Sequence, residues 1–217
     1  TFTGAVGGTA ALTSLSTDAG GTVAINGGIV NTTGAQNYAD AATLGAATTL
    51  TSTGSGAITF GGSVNGAQTL AVNTSGATTF GGAVGGTAAL TSLTTDAGGT
   101  VAINGGVINT TGAQMYGEAA TLGAATALSS SGSGAITFGS TLNGAQTLAV
   151  NTSGATTFAG TVGNSAPLAS LSTDAGGTVA INGGVVNTTG AQIYGEAATL
   201  GADTVLSSSN AGAITFG

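Results

Sequence analysis

The stretch TDAGGTVAINGG occupies residues 17–28 and recurs letter for letter at 95–106 and 173–184. The rest of the chain keeps the same step: Phe2, Phe80 and Phe158 recur at a constant interval of 78, as do Tyr38, Tyr116 and Tyr194, and Phe60, Phe138 and Phe216. No insertion or deletion breaks the period, so the chain divides into units 1–78, 79–156 and 157–217, the last incomplete. A strict tandem period is the signature of stacked units, each burying its apolar face against the next. A single continuous body over 1–217 is expected, not a set of separate domains.

Inside the phrase, Val23 and Ile25 alternate with small or polar residues, as do Ile58 with Phe60 and Leu70 with Val72. This period of two is that of a strand with one buried face. Turn chemistry follows nearly every cluster, as Asn26-Gly27, Asn65-Gly66, Asn104-Gly105, Asn143-Gly144 and Asn182-Gly183. Such pairs close hairpins or make corners between strands of a coil. A shorter internal echo favours corners: GAITF at 56–60 resembles GATTF at 76–80, GTVAI at 99–103 and EAATL at 118–122 before returning at 134–138. The matching residues Phe60, Phe80, Ile103, Leu122 and Phe138 are 20, 23, 19 and 16 apart. They predict an all-β chain folded as a parallel β-helix, or β-solenoid, with a coil length of about 19–20 and four coils per unit. Stacked coils would align these residues, with Phe158 over Phe138, as an internal ladder at about the 4.8 Å strand spacing. Residues 38–50, YADAATLGAATTL, are alanine-rich but lack a cap or a helical stripe, and are read as strand and coil.

Composition narrows the function. Lys, Arg, His and Cys are all absent, and the seven acids Asp18, Asp40, Asp96, Glu118, Asp174, Glu196 and Asp203 give a net charge of −7. Without a cation to meet phosphate, nucleic acid and anionic membrane are disfavoured as partners. No apolar run is long enough for insertion into a membrane. Trypsin-like proteases have no bond to cut, which suits a protein outside a cell. The absence of Cys removes disulfides, thiolate chemistry and cysteine metal sites. Thr1 falls within a unit and no basic leader precedes it, so the chain reads as an excerpt or mature segment whose export signal lies elsewhere.

Asp18, Asp96 and Asp174 each precede a glycine pair and are the calcium candidates. Copies four coils apart cannot share an ion, and the nonapeptide GGxGxDxUx is missing, so capping of a corner by the carboxylate is the preferred role. Catalysis lacks a base poised near neutral pH and a cation to meet developing negative charge, so no enzyme activity and no catalytic residue is expected. No serine has a histidine to activate it, and no phosphate-cradle motif or other cofactor motif is present. Tyr38, Tyr116 and Tyr194 are expected to pack partly buried with their hydroxyls in water. The doublets Thr78-Thr79, Thr94-Thr95 and Thr110-Thr111 leave a second function open: a flat threonine face that meets ice, polysaccharide or a cell surface.

The phrases TDAGGTVAINGG, NTTGAQ and NGAQTLAVNTSGATTF, together with the short coil, resemble the repeats of large bacterial surface proteins of the filamentous haemagglutinin and autotransporter-adhesin type. The resemblance spans the whole chain. It implies a right-handed parallel β-helix, export across the outer membrane, and service as a shaft or spacer in adhesion, biofilm or a fibre. It implies no catalytic residue. The expectation is thus a structural segment at the bacterial surface or outside the cell, partnered by further repeats of its own chain or by copies of itself, end to end or side by side.

Overall fold

The computed structural model describes residues 1–217 and contains strands, turns and no helix, so no helix is long and apolar enough to cross a membrane. Every strand pair is parallel, and each strand joins the strand one turn earlier and the strand one turn later. The wall has three faces. The first stacks Leu15–Thr17, Gln36–Tyr38, Ile58–Phe60, Ala77–Phe80, Thr100–Ile103, Ala119–Leu122 and Leu142–Asn143. It continues through Val162 to Val185–Thr188 and Val205–Ser208. The second runs from Ile29–Thr32 through Gln114–Tyr116 to Ala197–Leu200. The third runs from Thr22–Ile25 through Val64, Val84 and Ile108 to Ile214–Phe216. The chain is therefore a β-solenoid, as its alternation predicts, and the Asn-Gly pairs are corners. The alanine-rich stretch contributes the strands Gln36–Tyr38, Ala41–Leu44 and Thr48–Ser52.

The coil is somewhat longer than the sequence echo predicts. Successive partners Ile58, Thr78, Val101, Ala120 and Leu142 are 20, 23, 19 and 22 apart along the chain. From Thr22–Ile25 to Ser92–Thr95 the unit supplies ten strands, and Val84 adds an eleventh wall segment. Eleven segments on three faces make three and two-thirds turns, not four. The short step from Leu122 to Phe138 is the reason for the difference: it crosses only two segments and lands on another face, where Phe138 pairs with Tyr116. Because eleven is not a multiple of three, each unit starts one face away from the last. TVAI lies on the third face at 22–25, the first at 100–103 and the second at 178–181.

Side chains pointing inward form one core of 36 buried apolar residues, so the segment is one body. The six ladder residues divide between two faces. Phe60, Phe80, Ile103 and Leu122 stack in register on the first, while Phe138 and Phe158 stack on the second above Tyr116. Ring centroids are 5.7 Å apart for both Phe60 with Phe80 and Phe138 with Phe158, with planes within 8°. Such offset stacking is enforced by in-register parallel strands and adds to the burial of each ring.

One excursion recurs in every unit. Val84 and Leu90 pair with the same strand, opposite Ile108 and Thr110, so residues 85–89 leave the wall and return. The exit requires glycine: Gly85 has φ +67°, and a Cβ there would overlap the Asn109 carbonyl. Val6 with Leu12 and Val162 with Leu168 bracket the corresponding excursions.

Candidate functional site

The aspartates of the repeated phrase sit where a strand gives way to a corner. Asp96 Oδ1 accepts from the Thr74 backbone N–H at 3.1 Å, and Asp174 Oδ1 from Thr152 N–H at 3.0 Å. Each cap ties a corner to the preceding turn and satisfies a backbone donor that the ladder leaves free. Asp18 is exposed. The three follow strands on the first, second and third faces, Leu15–Thr17, Ser92–Thr95 and Ser170–Thr173, so they point from different edges of the prism. No three His, Cys, Asp or Glu side chains gather anywhere in the chain.

Each phrase does bring a second carboxylate onto the adjoining turn. Thr95 pairs with Tyr116, which places Asp96 beside the corner that holds Glu118. Asp174 and Glu196 are related in the same way by the pairing of Thr173 with Tyr194. Glu118 and Glu196 are buried, and burial pushes both carboxyls up from the usual range. At Glu118 the nearby Thr95 hydroxyl and the residue's own backbone N–H oppose the rise and Asp96 adds to it; at Glu196 Asp174 adds to it, against the Thr173 and Thr156 hydroxyls. In the first unit the equivalent residue is Asp40, whose Oδ1 accepts from Gly21 N–H at 2.7 Å.

The tyrosines differ from expectation. Tyr38, Tyr116 and Tyr194 are fully buried, and their hydroxyls bond a glutamine, not water. Tyr116 donates to Gln114 Oε1 at 2.9 Å, and Gln114 Nε2 donates to Ser129 O at 2.9 Å, Thr110 Oγ1 at 3.2 Å and Ile108 O at 3.3 Å. Gln36 with Tyr38 and Gln192 with Tyr194 repeat this bonding. A buried phenol costs stability unless its hydroxyl has a partner, and Gln-x-Tyr supplies one from the same strand, where residues i and i+2 face inward together. Burial raises all three phenol pKa values above the ordinary value.

A second set of buried polar residues lines the corners at the ends of Val-x-Thr and Leu-x-Ser. Thr32, Ser52 and Thr74 stack in register. Ser52 Oγ donates to Gly34 O on the turn before and accepts from Gly56 N–H on its own turn, both at 2.9 Å. Thr74 Oγ1 does the same between Gly56 O and Gly76 N–H. Sequence alternation alone shows that Thr32 and Val30 share a face; the glycine carbonyl that the hydroxyl meets is visible only across turns.

The outer surface carries no pocket. On the second face the outward row reads Thr49, Ala71, Thr94, Met115, Thr137, Thr157, Ala180, Thr199. Alanines and the half-exposed Met115 interrupt the threonines, because the one-face rotation brings different parts of the unit onto successive rungs. Compared with known proteins, the chain matches no family model, no curated protein and no solved structure.

Proposed function

We propose that this chain is a structural element, a stiff non-enzymatic segment of an extracellular fibre or of the shaft of a bacterial surface adhesin, whose work is to hold distance. One observation carries the reading: the inward ladders and backbone pairing run from turn to turn without a break, while the surface offers no pocket and no cluster of reactive side chains. Stiffness follows from parallel strands bonded along the axis, since bending must stretch hydrogen bonds on one face or compress side-chain stacks on another. The lack of Lys and Arg adds inertness to tryptic cleavage, in keeping with a place outside the cell or in a biofilm.

Wherever such an array is cut, its last rung exposes strand edges and apolar side chains. Leu200, Val205 and Phe216 are exposed apolar residues of the final strands. Further repeats of the same chain, or a second copy stacked end to end, are the partners that cover them. Electron microscopy of the purified segment tests both parts. Straight rods whose length grows with protein concentration are expected; isolated single segments with bare ends at every concentration rule out end-to-end assembly, and flexible, curled particles rule out the spacer role. A threonine face for ice or polysaccharide is less favoured, given the interrupted rows. The spacer reading expects silence in a thermal-hysteresis assay and in a glycan-binding screen.

A further inference from the structure

Glu118 and Glu196 are the only glutamates in the chain, and they occupy equivalent places in the second and third units. They are 3% and 4% exposed, and none of their four carboxyl oxygens has a hydrogen-bond partner. Beside them lie buried threonine oxygens in the same state, Thr95 Oγ1 at Glu118 and Thr173 Oγ1 and Thr156 Oγ1 at Glu196, and Thr78 Oγ1, the equivalent of Thr156 one unit earlier, is in that state too. Two unit copies on different faces thus share one arrangement, a carboxyl turned into the core among threonine hydroxyls.

A carboxylate in this place would be an uncompensated charge. The chain has no Lys, Arg or His, and the one charged group on the adjoining turn is a second acid, Asp96 for Glu118 and Asp174 for Glu196. On the glutamates' own strands the nearest titratable groups are Tyr116 and Tyr194, each already bonded to glutamine. The turn that follows Glu118, through 139–141, carries none. A hard cation such as calcium seeks six to eight oxygens. Here it would find two carboxylates, and one oxygen of the aspartate is already held by a backbone N–H. A proton needs much less. A neutral carboxyl both donates and accepts, so it can donate to one threonine oxygen and accept from another hydroxyl with no charge left in the core.

We propose that Glu118 and Glu196 are carried inside the solenoid as neutral carboxylic acids, hydrogen-bonded to the threonines around them, and form two proton-held latches that loosen when alkali removes the proton. The sign follows from linkage. The unfolded chain gives up these protons near an ordinary glutamate value of about 4.3 while the folded chain retains them. The latches therefore contribute fully below that value, and their contribution is lost as pH rises through the folded range. Over that interval each retained proton makes unfolding about tenfold more favourable per pH unit.

Because the chain has only two glutamates, labelling the glutamate side-chain carboxyl carbon with 13C gives two resonances in the intact protein. Both are expected to titrate above the ordinary glutamate range and not to move when calcium chloride is added at neutral pH. Titration at or below the ordinary value overturns the proposal, and so does a calcium-induced shift, which would make the site a cation site. Thermal unfolding supplies a second reading: the parent midpoint is expected to fall with rising pH above about 4.3, and E118Q/E196Q, which keeps a neutral donor and acceptor, to lose most of that slope. An unchanged slope in the double variant also overturns the proposal. If that variant does not fold, the resonances of the parent decide.

Discussion

Replacing Gln114 by Leu tests whether the buried polar network or apolar burial holds the second unit. Gln114 and Tyr116 are inaccessible to water, and the amide bonds to Tyr116 OH and Ser129 O are both 2.9 Å long. Leucine is close to glutamine in volume, so packing changes little while the phenol and a backbone carbonyl lose their partner. Each buried orphan costs about 1–3 kcal/mol, which puts Q114L at about 2–6 kcal/mol. Tyr116→Phe alone orphans Gln114 Oε1 and costs about 1–3 kcal/mol. In the double variant Q114L/Y116F neither the phenol nor Gln114 Oε1 remains to be stranded, so the double change is expected to cost less than the two single changes added together, by about 2–6 kcal/mol. Urea unfolding followed by far-ultraviolet circular dichroism on the four proteins gives the cycle. Hydrogen exchange at Gln114–Tyr116 localises the loss, with the copies at Gln36 and Gln192 as internal controls, since solenoid units couple mainly to their neighbours. Additivity within about 0.5 kcal/mol refutes the network as a coupled unit.

Other perturbations address the remaining parts of the architecture. Phe138→Ala removes a ring stacked against Tyr116 and Phe158, and is expected to cost about 3–5 kcal/mol; faster hydrogen exchange in Gln114–Tyr116 and Ala155–Phe158, with the Tyr38–Phe60 stack spared, checks it. A Cβ on Gly105 would overlap the Gly82 backbone, whereas one on Gly4 meets nothing within 4 Å, so Gly105→Ala is expected to lower the melting temperature sharply and Gly4→Ala to leave it unchanged. The buried tyrosines have raised pKa values, so their contribution to stability is whole below about pH 10 and is lost as pH climbs towards the folded values. Absorbance at the phenolate band is expected to appear only together with alkaline unfolding. Asp96→Ala removes the cap on Thr74 N–H and is expected to lower stability by about 0.5–1.5 kcal/mol, read as a shift in the urea midpoint.

Several parts of the candidate site are legible in the sequence. The placement of Asp96 at a corner follows from a carboxylate ahead of Gly-Gly, and the stack of Phe60 on Phe80 from two five-residue phrases that match at their ends. The buried partners were not legible. Tyr38 reads as an amphipathic ring with its hydroxyl in water, because nothing along the chain marks which polar side chains, Gln36 among them, the next turn will cover. Glu118 is visible in the sequence as one of seven acids, but its burial depends on the adjoining turn, which brings Thr95 and Asp96 beside it.

By itself the sequence determined the strand alternation, the corners, the parallel stacking and the tandem period, because each depends on neighbours close along the chain or on identity between copies. Only the tertiary structure decided how many segments close one turn, and hence that a unit makes three and two-thirds turns and that equivalent residues rotate from face to face. The physical reason is closure. A turn ends where backbone donors meet the acceptors of the turn below and inward side chains fill a triangular core, a condition on distant stretches of chain that no single strand contains. The phrase TDAGGTVAINGG marks the period on the chain, and the fold decides which way each copy faces.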